Sequence, residues 1–382
     1  MEGYRPSPEE ISNAEATTTS EQRVMSEQRE KERRIKNFEQ ALREVCERYP
    51  ELSEKIKRSL ETPQLGEHHN EGPKMDSHLS LILATLESIK DGQFHESLGE
   101  SSLKEAMTSI VAGSKENGSE KNIINPDLVD YAFLHDVAKP DCLTLKIEGE
   151  KKGVEITWEQ WQEIAKAGAP YKLEGKPVTS ISYFHSSEDT NGQHGNKAVE
   201  MLKDKRIPPE IIVAISKHEV AYQFDKINAA TYEDHFVKPG FSEDQQKFIL
   251  VASYIDTVAS LGPNGKPDLN NFVNLIKSRD NSLLIKQYTD KGVIFRENDL
   301  RALKKQDKVL TAADVEKIIP REEKYNLLAF GEKLNTLVSG GQISAEEKEQ
   351  ILSIVSSQPK ELGKKFGPKM RLIKPLLEQS KE

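Results

Sequence analysis

The run Asp130-Tyr131-Ala132-Phe133-Leu134-His135-Asp136-Val137-Ala138-Lys139-Pro140 constrains this chain more than any other stretch. An apolar helical segment ends in an adjacent imidazole and carboxylate, and Pro140 stops it because a proline disfavours helical geometry in the residue before it. Neighbouring residues on a helix point about 100° apart, so both side chains can reach one ion placed between them. Burying such a pair with no partner is costly. A fold built on this helix end must therefore bring further ligands to it.

Three other stretches offer them, those of His78, His218 and Asp256. A helix starting near Asp76-Ser77, read as its caps, carries His78 on a stripe with Ile82, Thr85 and Ile89. His194 opens a second helix, next to Gly195, and Pro208-Pro209 begins a third that ends in Lys217-His218. Ser242 to Gln245 forms a capping box for a helix that places Asp256 on an apolar face with Ile249, Ala252 and Ala259. An unpaired carboxylate there needs a cation. A single histidine on such a face is more often a satisfied core residue, and the ordered recurrence of these sites is the stronger signal. Imidazoles with carboxylates suit one or two divalent ions, Mn, Fe, Co, Ni, Zn or Mg.

Around these segments the spacing predicts a disordered tail over 1–20, an amphipathic helix over 21–62 with a seam of Ile35, Phe38, Leu42 and Val45, and a surface excursion over 91–124. Leu143 to Ile147 and Val154 to Ile156 read as a β-hairpin, and Thr157 to Gln160 as a capping box. Trp158 and Trp161 then serve core packing rather than base stacking, and 168–192 has loop composition. His68 and His69 sit in a polar loop and receive no role. Gly262 to Pro267 is linker-like, and 268–382 continues in helices, with a basic stretch from Lys360 to Lys374 read as a solvated face.

The net charge of -9 leaves no broad electrostatic footprint for nucleic acid, so RNA is not favoured, while a small phosphorylated substrate remains compatible. Cys46 and Cys142 match no zinc or disulfide spacing, and Cys142 is read as a small buried hydrophobe rather than a soft ligand. No leader pattern and no apolar run of membrane-spanning length is present, which makes the cytoplasm the expected compartment, with no membrane partner.

The order His78, His135-Asp136, His194, His218, Asp256, with Lys139 shortly after Asp136, resembles the HD-domain metal-dependent phosphohydrolase superfamily over roughly 76–261. Within it the run His135 to Pro140 and the helix ending in Lys217-His218 are most similar to the HD domain attached to tRNA nucleotidyltransferases, although no nucleotidyltransferase head precedes it here. Two departures stand out: Gly195 directly follows the histidine where the family has a later Gly-Ala pair, and no tandem Gly-Tyr-Pro signature follows Lys139.

The resemblance implies a mainly α fold: an HD-domain helical bundle over 75–261 with a small β-hairpin insertion and extra N- and C-terminal helices. The insertion, 141–193, would be a lid. His78, His135, Asp136 and Asp256 would ligate metal, while His194 and His218 would bind a second ion or the phosphate, with His185 competing for the role of His194. The implied reaction is phosphoester hydrolysis on a nucleotide or similar small substrate by metal-bound hydroxide, with Asp136 as base or orienter and Lys139 offsetting charge. His194 and His218 would steady the phosphate or protonate the leaving oxygen. The alternatives are a non-catalytic member whose structural metal supports binding of RNA or a protein, and a helical protein whose histidines are core residues.

Overall fold

The computed structural model describes all residues except 1–27, 30, 66–69, 113–114, 117–118, 121–122, 124, 186–192, 294, 320–326, 358–360 and 381–382. The tail over 1–20 and His68 and His69 lie outside the described residues.

Proline breaks the first expected element. Instead of one helix over 21–62 there are two, α1 over 31–48 and α2 (Ser53–Leu60), divided at Tyr49, whose φ of -126° and ψ of 67° are not helical. Pro50 follows at once and imposes that departure on its neighbour. Of the expected seam, Val45 is buried and Phe38 packs on Phe133 with ring centroids 5.6 Å apart, whereas Ile35 stays exposed. At the break the chain anchors a buried carboxylate: Tyr49 Oη donates to Asp130 Oδ2 at 2.8 Å, and Arg48 donates to Oδ1 at 2.9 and 3.1 Å. Burial, then the Asp130 hydrogen bond, pushes the Tyr49 phenol well up.

The chain is mainly helical and divides into two compact units, Met1–Glu219 with Glu243–Leu269, and Val220–Ser242 with Asn270–Glu382. The linker-like stretch at 262–267 is therefore not a simple boundary, because 220–242 sorts with the C-terminal helices.

The first unit contains α3 (Met75–Lys90), α4 (Ser101–Val111), α5 (Pro126–Leu134), α6 (Trp158–Lys166), α7 (His194–Leu202), α8 (Pro209–Lys217) and α10 (Glu243–Ala259). α10 is buried on nearly every side, as a helix apolar all round must be. It packs against α3, α4, α5 and α8. Two details differ from expectation. α3 starts at Met75 after Lys74, so Asp76 and Ser77 lie in its first turn instead of capping it. α4 buries Leu103, Met107 and Ile110 against α10, so 91–124 is not merely a surface excursion. The Asn125 cap and the Thr157 capping box form as the sequence predicts.

The insertion is larger than a hairpin. After a two-residue ladder of β1 (Lys115–Glu116) and β2 (Ser119–Glu120), the strands β3 (Leu143–Ile147), β4 (Val154–Glu155), β5 (Lys172–Leu173) and β6 (Lys176–Tyr183) form an antiparallel sheet in the order β4-β3-β6-β5. The 168–192 stretch is thus not all loop. A register shift between Lys146 and Ile147 breaks the alternation on which a sequence-based strand assignment depends. One sheet face packs on α6 through Leu143, Leu145, Ile181, Trp158 and Trp161, with Cys142 buried beside them. The sheet is pinned to the helical body where Ile181 N donates to Leu65 O at 3.0 Å and Tyr183 Oη donates to Pro63 O. These two contacts join the expected lid segment to the helical body.

The second unit holds α9 (Ala229–Tyr232), packed on α11 (Asn270–Asp290), with α12 (Glu297–Lys304) and α13 (Ala312–Ile318) closing a core of Ala229, Ile285, Leu303, Leu310 and Val315. A further cluster around Phe330, Leu334, Ile351 and Ile373 joins α14 (Leu327–Ser339), α15 (Ala345–Ser357) and α17 (Met370–Glu378).

Asp130→Ala leaves the buried Tyr49 hydroxyl without its acceptor and should cost about 2 kcal/mol in urea denaturation. An unchanged midpoint and slope would show that the anchor contributes nothing.

Candidate metal centre

Helix ends deliver the ligands. His135 is the C-terminal cap residue of α5, His218 that of α8, and His194 is the first residue of α7, while His78 sits in the first turn of α3 and Asp256 in the last turn of α10. Two buried groups result. His78, His135 and Asp256 offer ligand atoms within 4.8 Å of one another, and so do Asp136, His194 and His218. The adjacent residues His135 and Asp136 join the groups, their Nε2 and Oδ2 atoms 3.0 Å apart.

The outer nitrogens of three of the four imidazoles are engaged by backbone carbonyls. His135 Nδ1 donates to Ala132 O at 2.9 Å, His218 Nδ1 to Ile215 O at 2.7 Å and His194 Nδ1 to Tyr183 O at 3.3 Å. His78 Nδ1 lies 3.3 Å from Glu71 Oε1. A carbonyl oxygen can only accept, so Nδ1 carries a proton in His135, His194 and His218 and their Nε2 atoms are the ones turned inward. His194 Nε2 and His218 Nε2 then face each other at 2.9 Å, which two lone pairs tolerate only with a proton or a metal ion between them. Burial, and next the neighbouring His194, holds the His218 pKa down, which disfavours the proton. His135 Nε2 and both Asp136 oxygens are buried and make no contact with hydrogen-bond geometry. This is a donor set that a divalent cation satisfies.

The carboxylates are kept ionised. Burial would raise Asp136, but His135 and Lys139 hold it well below the usual carboxylate range. Asp256 is likewise lowered against its burial, chiefly by its 2.9 Å hydrogen bond with His78. His78 responds in kind: burial alone would lower it, but Asp256 and Glu71 carry it up to about 9.

Two expected roles look different in the structure. His185 Nε2 donates to Leu143 O at 2.9 Å and belongs to neither group, whereas His194 belongs to one of them. Lys139 is buried, 2.7 Å from Asp136 Oδ2 and over the Tyr183 ring at 4.6 Å, so its ammonium is engaged with the ligand pair rather than turned toward open space. His194 and Glu219 also line an open cleft of about 1030 Å³ whose wall is the β6 strand, with Lys146 and the exposed Phe184 along it.

Some neighbours have no sequence signature. Glu71 lies in a polar loop, and Glu219 differs from other surface acids only in following His218. Tyr183 touches the site through its carbonyl and ring. Tyr131, a helical turn before His135, stacks on it at 5.1 Å, and its buried hydroxyl has no hydrogen-bond partner. Gly195 has a plain reason: a Cβ there would meet His218 Cε1 at 2.6 Å and Ile215 O at 3.3 Å. Comparison of the chain with known protein families, characterised proteins and solved structures finds no match.

Gly195→Ala should displace the His218 ring and weaken metal binding at the Asp136, His194 and His218 group by about tenfold or more, with little change in thermal stability. Calorimetric titration with Mn and Zn reads this, and an unaltered isotherm would contradict it. Because a metal at His78 Nε2 displaces a proton, affinity at its group should rise about tenfold per pH unit up to roughly pH 9 and level off above. The same proton has the opposite effect on the metal-free fold. The folded pKa is raised, so the stabilisation is full below about pH 6.5 and is lost as pH rises through about 9. A pH-independent affinity would contradict the pairing.

Proposed function

We propose that this chain is a metal-dependent phosphohydrolase of the HD-domain kind, acting on a nucleotide or similar small phosphorylated substrate. The observation that carries the proposal is the adjacent His135-Asp136 pair joining two buried His/Asp groups, one of which reaches an open cleft through His194. Four imidazoles and two carboxylates suit first-row ions such as Mn, Fe, Co, Ni or Zn better than Mg, which favours an all-oxygen shell. Divalent ions held by these residues would supply Lewis acidity, lowering the pKa of water and offsetting charge on phosphoryl oxygens.

The chain's own groups have distinct tasks. His78, His135 and Asp256 form the deeper group, with the His135 ring aimed by Ala132 O and His78 Nε2 set 2.9 Å from Asp256 Oδ1. Asp136, held ionised, stands between the groups and is the base or orienter for the attacking water. Lys139, buried against Asp136, keeps that carboxylate anionic and acts on the reaction through it. His194 borders the cleft with His218 2.9 Å behind it, and the two would steady the phosphate or hand a proton to the leaving oxygen. The β6 strand walls the open cleft and shapes the substrate's approach to His194.

His135→Ala and Asp136→Ala should each lose stoichiometric metal and at least a thousandfold in turnover on a phosphoester panel assayed with Mn, Fe, Co, Ni, Zn and Mg. Metal content and activity unchanged in both variants would overturn the proposal. A metal-loaded wild type inert on every ester would point to a non-catalytic metal protein.

A further inference from the structure

His78 differs from the other three imidazoles in what stands behind it. Backbone carbonyls hold His135, His194 and His218, but the atom 3.3 Å from His78 Nδ1 is Glu71 Oε1, on a side chain with no solvent exposure. The two nitrogens of the His78 ring thus face two carboxylates, Glu71 outside and Asp256 Oδ1 inside at 2.9 Å. The second Glu71 oxygen is also used. Leu261 N donates to Glu71 Oε2 at 3.2 Å, while Asn70 N donates to Leu261 O at 3.0 Å. Leu261 follows the end of α10, the helix that carries Asp256. One buried carboxylate therefore grips both the His78 ring and the chain end beyond Asp256, fixing the separation of two ligands that come from opposite parts of the sequence.

We propose that Glu71 is a positioning residue that makes the His78, His135 and Asp256 group the tighter of the two metal sites. A carboxylate behind an imidazole locks its tautomer and raises its basicity more than a neutral carbonyl does. The histidines of the other group have carbonyls behind them, its carboxylate Asp136 is shared with the Lys139 ammonium, and Glu219 Oε1 stands farther off, 4.0 Å from His194 Nε2. Both differences act in the same direction. Two ions should bind in sequence, the first at the Glu71-backed group.

The proposal rests on the reading of these groups as metal sites and not on the reaction assigned to them. It is tested on the full chain with Glu71→Ala, Glu71→Gln and wild type, using Zn and Mn titrations together with NMR observation of the His78 ring protons. The wild type should show a tight and a weaker binding step. Glu71→Ala should weaken the tight step about 10- to 100-fold and leave the other within twofold. Glu71→Gln keeps one acceptor oxygen and should fall between the two.

The His78 Nδ1 proton should exchange slowly in the wild type, with or without metal, and vanish into fast exchange in Glu71→Ala. That signal separates orientation of the ring from a general loss of stability. An unchanged tight step in folded Glu71→Ala overturns the proposal, as does a His78 Nδ1 proton that stays protected. Absence of any metal binding in the wild type would remove the metal reading, and loss of that proton in Glu71→Ala would then still establish the clasp.

Discussion

Everything in the first unit depends on a concentration of lone pairs at its centre. Four imidazoles and two carboxylates are buried together, with His194 and His218 turning Nε2 atoms toward each other at 2.9 Å. Such groups are expensive to bury, by several kcal/mol for each unpaired charge, and mutual repulsion would drive them apart unless the scaffold held them. The scaffold does this by placing each ligand where a helix begins or ends. There a main-chain carbonyl one turn away is free to accept the outer Nδ1 proton, as Ala132 O does for His135 and Ile215 O for His218. The same hydrogen bonds that satisfy the helix ends aim the rings.

α10 supplies the other half of the constraint. It is buried on nearly all sides and brings Asp256 among the histidines, where the His78 hydrogen bond and the His135 charge hold its carboxyl low against its burial. The charges that result are graded. Asp256 and Asp136 are held anionic by the histidines and by Lys139, while Glu71 and Asp256 together hold His78 as a strong base. A metal-free centre of this kind is stabilised by protons that metal must displace, so pH and metal compete for the same atoms.

The residues of the two groups were legible in the sequence because each lies on or at the end of a strongly patterned helix, where apolar spacing fixes which face is buried. His78, His135, Asp136, His218 and Asp256 could all be placed from spacing, caps and prolines. Other features were not legible, for physical reasons. β6 carries lysine, proline and serine, and a bulge removes the alternation that would mark it as a strand. The choice between His185 and His194 depends on which imidazole the folded sheet turns outward, a tertiary fact that local sequence cannot carry. Glu71 looks like any loop acid, and only the approach of α10's C-terminal end makes it buried. Gly195 reads as a helix defect until His218 is seen lying against it.

The most direct test is a crystal structure of the protein soaked in Mn, with anomalous scattering collected at the metal edge. The account predicts strong peaks bounded by the Nε2 atoms of His78 and His135 with Asp256 on one side, and by those of His194 and His218 with Asp136 on the other. Stoichiometric manganese bound elsewhere, or a manganese-saturated crystal with no peak at either group, would contradict it.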